Sequence, residues 1–275
     1  MANVMAFFCQ FQYMLLEYID EIFNFIKALL LVVDNYDIDA IEEGSGVYTS
    51  VVKHLNKPTT MEIDHIFIFS KNYGKEADKL VEFGFIEGSS RTHPGQGTTN
   101  RKFYFENFFL EVLWVIDEAE IRSDLTSKSK LWERSQFDKN HFSPFGLCLV
   151  NSKRTDKLFE RSEIYQPNYF PEGMSIDIIT NEKNPNLPWT FRLPYRDEKK
   201  AHNEPTNHKN GIRKLTQVEF EIPLNKDEIE FKTFFKSSEY IDFKGGQRNH
   251  LTLEFDNFNQ KQVMTFEGLN LSIKY

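Results

Sequence analysis

The sequence has little cysteine and no long apolar run. Cys9 and Cys148 are the only cysteines among 275 residues, and neither belongs to a CxxC pair. A disulfide framework and a thiolate zinc site are therefore not expected. The longest nearly apolar run, residues 22–33, is too short and too polar to span a bilayer, and no basic residue precedes it as in a secretory signal. We expect a cytoplasmic protein with no membrane partner.

Positive charge is also scarce. The chain has 33 Lys and Arg against 41 Asp and Glu, a net charge of −8. This balance argues against a nucleic-acid partner, which would be held through many phosphate contacts. Residues 1–60 contain eight acidic and three basic residues, so they carry −5 of the total. With apolar residues at helical spacing, they predict an acidic N-terminal extension, either helical or poorly ordered.

Several catalytic motifs are absent. The chain contains no GxSxG, GxxxxGK[ST] or HExxH. These motifs mark nucleophilic serines, phosphate-binding loops and zinc proteases. Gly95 and Gly97 form a fragment of a dinucleotide fingerprint, but a strand pattern follows them where that fingerprint needs a helix.

The chain is rich in aromatic residues, with 27 Phe and 11 Tyr, and in strand patterns that repeat. From residue 61 onward, the order strand, helix and three strands (βαβββ) occurs three times. The predicted elements of the first unit are residues 62–69, 74–83, 85–87, 101–106 and 108–116. Those of the second are 145–150, 153–161, 164–166, 174–180 and 189–194, and those of the third are 215–222, 226–236, 240–243, 248–255 and 263–275. We predict a two-module domain over residues 61–196 and a third module over residues 211–275.

Two segments carry a family resemblance. The runs IDHIFIFS, residues 63–70, and RTHPGQGTTNRKFYFENFFLEVLWV, residues 91–115, resemble the glyoxalase-like branch of the vicinal oxygen chelate superfamily. The resemblance implies an α+β fold in which βαβββ modules pair into a curved, partly closed mixed sheet around a cavity. It implies a small-molecule ligand and leaves two functions open. One is lyase, isomerase or dioxygenase-type chemistry assisted by a divalent metal; the other is binding or sequestration without catalysis.

The same resemblance implies metal ligands. In that superfamily the first strand of a module supplies His or Gln and the fourth supplies Glu, and these places are held here by His65 and Glu111. Each is a lone polar residue on an apolar strand face. The second unit offers no such ligand, whereas Gln217 in the third would join them if modules one and three share a cavity. The structural alternative is that His65 is a core histidine and Glu111 pairs with Arg101.

The loop of residues 93–101 is the most specific local signal. Its glycines permit close approach of another group, and it brings donors beside the strand of Glu111. We predict His93 and Glu111 as catalytic residues and Asn100, Arg101 and Trp114 as substrate-binding residues, with Arg101 holding an anionic group. The alternative for the loop is a plain β-turn.

An unpaired third module would also favour a homodimer, or an interaction scaffold.

Overall fold

The computed structural model describes residues 61–199, 203–223, 230–236 and 238–275. The extension predicted for residues 1–60 lies outside them. Over the described ranges the chain combines two mixed sheets with short helices, and none of those helices is long and apolar enough to cross a membrane.

The first module follows the predicted order. Its elements are β1 (Ile63–Phe69), α1 (Ala77–Phe83), β2 (Thr92–His93), β3 (Thr98–Tyr104) and β4 (Phe109–Val115). Helix α1 ends at Gly84, whose φ of 113° is left-handed.

The second strand of this module is displaced from the predicted residues 85–87 to β2. Side chains from residues 204–208 bond the backbone in this region instead. The amide of Ile86 donates to His208 Nδ1 (2.9 Å), and the amide of Ser89 donates to Glu204 Oε2 (2.9 Å).

The second module repeats the pattern after three short helices. The connecting helices are α2 (Glu118–Ile121), α3 (Asp124–Ser127) and α4 (Leu131–Ser135). The module itself consists of β5 (Phe145–Asn151), α5 (Lys153–Phe159), β6 (Glu163–Tyr165), β7 (Ile176–Ile179) and β8 (Trp189–Arg196). Helix α5 begins with a capping box between Ser152 and Thr155.

Modules one and two share a single curved sheet. Its strand order is β2-β3-β4-β1-β5-β8-β7-β6. Each module pairs its first strand with its last in parallel, β1 with β4 and β5 with β8, and the antiparallel pair β1 and β5 joins the halves. Ile66 lies opposite Leu147 at the centre of this pair, so an approximate twofold axis relates the modules. The predicted fold class is confirmed.

Residues 215–275 form a second sheet. Its strands are β9 (Leu215–Pro223), β10 (Ile241–Gly246), β11 (His250–Phe255), β12 (Val263–Phe266) and β13 (Leu271–Lys274), with α6 (Glu230–Phe235) between β9 and β10. The order is β10-β9-β11-β13-β12. A 3₁₀ turn, Glu267–Leu269, splits the predicted last strand into a hairpin. Strand β9 pairs in parallel with β10, and the last strand, β13, pairs in parallel with β11. In the first two modules the first strand pairs instead with the last one.

The curved sheet has two different faces. One face packs against α1 and the second sheet in a shared aromatic core. In this core the ring centroids of Phe105 and Phe255 are 4.7 Å apart, and those of Phe145 and Phe220 are 6.0 Å apart. The other face carries a separate cluster that includes Phe67 and Trp189. This second face is concave, and it forms the site.

Candidate functional site

A cavity of about 680 Å³ opens on the concave face of the curved sheet. The first module contributes a wall that carries a cluster of polar side chains, His65, His93, Asn100, Lys102 and Glu111, together with the rings of Phe67, Tyr104, Phe108 and Phe109. The second module contributes a wall of mainly aromatic side chains: Tyr169, Phe170, Trp189, Phe191 and Leu193. The volume suits a small organic molecule.

His65 is oriented by its sequence neighbour. The pairing of β1 with β5 shifts register between Ile63 and His65, and this irregularity accompanies the presence of both Asp64 and His65 at the cavity. His65 Nδ1 lies 2.6 Å from Asp64 Oδ1, so Nδ1 carries a proton and donates it to the carboxylate. The ring stacks on Phe109 at 4.3 Å. Nε2 is thereby directed toward Glu111.

Glu111 faces His65 across the floor of the cavity. Its Oε2 is 3.8 Å from His65 Nε2, and its Oε1 accepts from Asn100 Nδ2. Asn100 is itself held by the backbone, because its Oδ1 accepts from the amide of Arg91 at 2.7 Å. When His65 is neutral, two acceptor atoms share one small space. That space suits a donor group of a ligand, a proton or a cation.

His93 lies in the same wall and is held through its other ring nitrogen. Its Nδ1 is 2.9 Å from Thr98 Oγ1. Burial lowers the pKa of His93; the Glu111 carboxylate opposes that shift, and the charges of Arg91 and Lys102 add to it. The ring is therefore neutral near pH 7.

Behind His93 lies a buried hydrogen-bond network that the sequence did not indicate. Tyr165 and Tyr169 each donate to Gln96 Oε1 at 3.3 Å, and Gln96 Nε2 donates to Thr98 Oγ1 at 2.9 Å. Burial raises the pKa of Tyr165 to about 12 and raises that of Tyr169 further. Both phenols therefore keep their protons. Tyr169 and its loop come from the second module, whose pairing with the first could not be deduced from the first module's motif.

Three cations at the cavity were also missed, of which Lys199 pairs with Glu62 at 3.2 Å. The Arg91 guanidinium lies 5.0 Å above the ring of Tyr169, and Lys102 Nζ is 5.8 Å from the ring centroids of Tyr104 and Phe109. Neither side chain forms an ion pair with any described residue. Strand alternation could have found Lys102, because residues 100 and 102 share a face of β3.

Arg101 lies outside the cavity, so its predicted substrate role is corrected. It follows Asn100 on a strand and therefore points to the opposite face. There its guanidinium forms ion pairs with Glu87 and Asp78, both at 2.7 Å, and these partners raise its pKa. The alternative pairing of Arg101 with Glu111 is wrong for the same reason.

Trp114 and Gln217 are not at the cavity either. Trp114 alternates with Glu111 along β4 and covers Gly74, whose φ of 78° and lack of a Cβ permit this contact. Gln217 lies on β9 in the second sheet, opposite Glu254. Module one shares its cavity with module two, so the condition for Gln217 as a metal ligand is not met.

The donors at the site do not fit a resident metal held by three or four protein ligands. Asp64, His65 and Cys148 place ligand atoms within 4.8 Å of one another. However, the Asp64 carboxylate already bonds His65, and burial raises the pKa of the fully buried Cys148 thiol well above its usual value. A protonated thiol is a poor metal ligand.

The twofold-related positions in module two add no ligand. The axis relates His65 to Gly146 and Glu111 to Phe191, since Phe67 pairs with Glu111 as Cys148 pairs with Phe191. A side chain at Gly146 would collide with the ring of Phe67.

The family model of the glyoxalase-like domain matches residues 63–229, more than half of the chain. The chain belongs to this family. The match spans both modules of the curved sheet and the start of the second sheet. A comparison with curated protein sequences gave no match to this glyoxalase-like chain.

Solved structures resemble the glyoxalase-like chain at low identity. A hypothetical protein from Staphylococcus aureus is 12% identical, over 78% of this chain and 98% of its own, with a TM-score of 0.48. A hypothetical protein from Bacillus halodurans is 12% identical, over 53% of this chain and 100% of its own, with a TM-score of 0.34. A xylose isomerase-like TIM barrel/4-hydroxyphenylpyruvate dioxygenase fusion protein is 9% identical, over 78% of this chain and 42% of its own, with a TM-score of 0.41.

Proposed function

We propose that this glyoxalase-like chain binds a small amphipathic molecule, with an oxygen-rich anionic group on the first-module wall and an apolar body on the second-module wall. The supporting observation is that the buried polar side chains of the 680 Å³ cavity are concentrated on the first-module wall, whereas the second-module wall is mainly aromatic. Polar groups that fix orientation beside an apolar surface that supplies burial are the usual composition of a ligand site.

The polar wall suits a particular kind of head group. His65 Nε2 and Glu111 Oε2, 3.8 Å apart, both accept, so they favour a hydroxyl donor on the ligand. Arg91 and Lys102 favour an anionic oxygen beside it. If the bound molecule reacts, His65 is placed as a general base, because Asp64 holds the proton on Nδ1 and leaves Nε2 free to accept another.

Binding without a resident metal is favoured over metal-assisted chemistry. The first module supplies His65 and Glu111, whereas the corresponding places in the second are Gly146 and Phe191. Three or four protein ligands are the usual requirement for a held transition metal or zinc ion.

Thermal unfolding with three probes of matched size tests the proposal. Phenylacetate, phenylacetamide and phenethylamine share an aromatic body and differ in head-group charge. We expect phenylacetate to raise Tm most and phenethylamine least. Each Tm shift should be the same with and without EDTA. A larger shift with phenethylamine would overturn the anionic preference.

Charge variants give the matched control. Lys102→Met removes one of the cations at the cavity and should weaken phenylacetate binding about five- to tenfold, as expected for a charged hydrogen bond. Lys128→Met makes the same change at an exposed position without a contact to the cavity and should leave affinity unchanged. Equal affinities in both variants would contradict the placement of the head group.

Metal analysis decides between the two functions. The purified full chain, never exposed to chelator, is expected to hold less than stoichiometric metal. Stoichiometric metal that is lost in both His65→Ala and Glu111→Ala would overturn the metal-free proposal in favour of metal-assisted chemistry.

Cytoplasmic location and a homodimer are further parts of the proposal. Scarce cysteine supports a reducing compartment. Light scattering of the full chain and of a chain lacking residues 1–60 tests the dimer. A monomeric mass in both would contradict it.

A further inference from the structure

A continuous buried hydrogen-bond chain ends at His93. It starts at the Tyr169 hydroxyl, passes through Gln96 Oε1 (3.3 Å) and from Gln96 Nε2 to Thr98 Oγ1 (2.9 Å), and reaches His93 Nδ1 (2.9 Å). Gln96 and His93 are 5% and 8% exposed, and Thr98 is fully buried. Because bulk water has little access, the direction of each hydrogen bond is set by the neighbouring one.

The direction of the chain follows from its first member. Burial raises the pKa of Tyr169, so its hydroxyl keeps a proton and needs an acceptor. The Gln96 oxygen is its acceptor among the described residues. The amide nitrogen of Gln96 therefore faces Thr98, and an amide nitrogen can only donate.

Thr98 passes this direction on to the histidine. Its oxygen accepts from Gln96, and the acceptor within reach of its own proton among the described residues is His93 Nδ1. If Nδ1 carried a proton instead, the buried Thr98 hydroxyl proton would have no partner there, and leaving a buried donor unpaired is unfavourable. Nδ1 is thus the acceptor, and the one proton of the neutral ring lies on Nε2.

We propose that Thr98 fixes His93 as the Nε2–H tautomer, so that His93 is a hydrogen-bond donor to the ligand and selects for an oxygen acceptor such as a carboxylate. Thr98 and Gln96 act as positioning residues, because they reach the ligand only through His93. The inference deepens the proposed binding function and its ligand part depends on it. His93 and His65 then have opposite roles in one wall, a donor at the first and an acceptor at the second.

Nuclear magnetic resonance of the full chain labelled with ¹⁵N-histidine tests the tautomer without any ligand. Long-range ¹H–¹⁵N correlations at pH 7.5 should show the His93 proton on Nε2, with the signals assigned by their loss in His93→Gln. Thr98→Ser keeps the hydroxyl and should keep this tautomer. Thr98→Val removes it and should give a mixture. A proton on Nδ1 in the unsubstituted chain, or an unchanged tautomer in Thr98→Val, would overturn the proposal.

Phenylacetate titrations test the consequence for selectivity. Thr98→Val should weaken phenylacetate binding about three- to tenfold, and Thr98→Ser should restore it. The same Thr-to-Val change at Thr252, in the second sheet, should have no effect. A changed tautomer with unchanged affinity would overturn the selectivity part. If phenylacetate fails to bind the unsubstituted chain, the proposed function fails for this probe, while the spectra still decide the tautomer.

Discussion

The two walls of the cavity come from modules of the same topology and differ in chemistry. Related positions hold His65 and Gly146 on the first strands, and Glu111 and Phe191 on the fourth. On the polar wall each buried group is held by another, as Asn100 holds Glu111. On the aromatic wall Trp189 and Phe191 pack with ring centroids 4.7 Å apart. One backbone pattern thus supports either a donor and acceptor array or an apolar surface.

The largest expected effect comes from making the aromatic wall resemble the polar one. Phe191→Glu restores a carboxylate at the place related to Glu111. Loss of a buried ring costs about 3–5 kcal/mol of the free energy of unfolding, and an unpaired buried carboxylate adds to this. We expect Mn²⁺ or Zn²⁺ to raise the Tm of Phe191→Glu, because the cation gains a ligand opposite His65 and Glu111.

Phe191→Leu is the matched control, since it removes the ring without adding a charge. Its Tm should not respond to metal. A metal response of equal size in the unsubstituted chain and in Phe191→Leu would show that the aromatic wall does not prevent metal binding, and the contrast between the modules would then lose its functional meaning.

The next effect tests the polar wall itself. Asn100→Ala leaves Glu111 Oε1 and the Arg91 amide without their partner. Each buried polar group left unsatisfied costs about 1–3 kcal/mol, so urea unfolding should show a loss in this range. Asn259→Ala, at an exposed position and without a side-chain hydrogen bond to a described residue, serves as control and should change stability by less than about 0.5 kcal/mol. A loss no greater than the control's would mean that the polar wall is open to water.

Strand periodicity explains how much of this site the sequence could predict. The pattern around His65 and Glu111 indicated two strands with one polar residue each on an apolar face, and the structure places both side chains at one cavity. The same alternation rule should have separated Asn100 from Arg101 and Glu111 from Trp114. Nearness in sequence does not place two side chains at one site, because adjacent residues of a strand point to opposite faces.

Other features depend on contacts between distant segments and had no local signal. Tyr169 reaches Gln96 across 73 positions, and His208 reaches Ile86 across 122. The hairpin of β12 and β13 depends on a single turn within a run that otherwise predicted one strand. Local pattern gives the elements, but it does not give the pairing of segments this far apart.

The third effect is a pH dependence that belongs to the polar wall. Burial lowers the pKa of His93 below the value of about 6.5 expected in the unfolded chain. As pH falls below about 6.5, His93 is protonated in the unfolded chain before it is protonated in the folded one. The free energy of unfolding therefore falls as pH is lowered. The slope from one histidine is at most about 1.4 kcal/mol per pH unit.

Urea unfolding between pH 7.5 and 5 checks this. His93→Gln should flatten the curve relative to the unsubstituted chain, and His141→Gln, at an exposed position, should not. His208 and His250, whose pKa values are also lowered by burial, contribute equally to all three proteins. Identical curves for the unsubstituted chain and His93→Gln would contradict the burial of a neutral His93 in this wall.

The smallest effect concerns the outer face of β3, where Arg101 lies. Arg101→Met removes ion pairs with Glu87 and Asp78, and partly exposed pairs of this kind contribute about 1 kcal/mol or less. Because Arg101 points away from the cavity, phenylacetate affinity should stay within about twofold, whereas Lys102→Met weakens it. Isothermal titration of the two variants compares adjacent residues on opposite faces of one strand. If Arg101→Met weakened binding as much as Lys102→Met, the head group would be bound by charge near β3 in general, and the polar wall would no longer be the part of the molecule that recognises it.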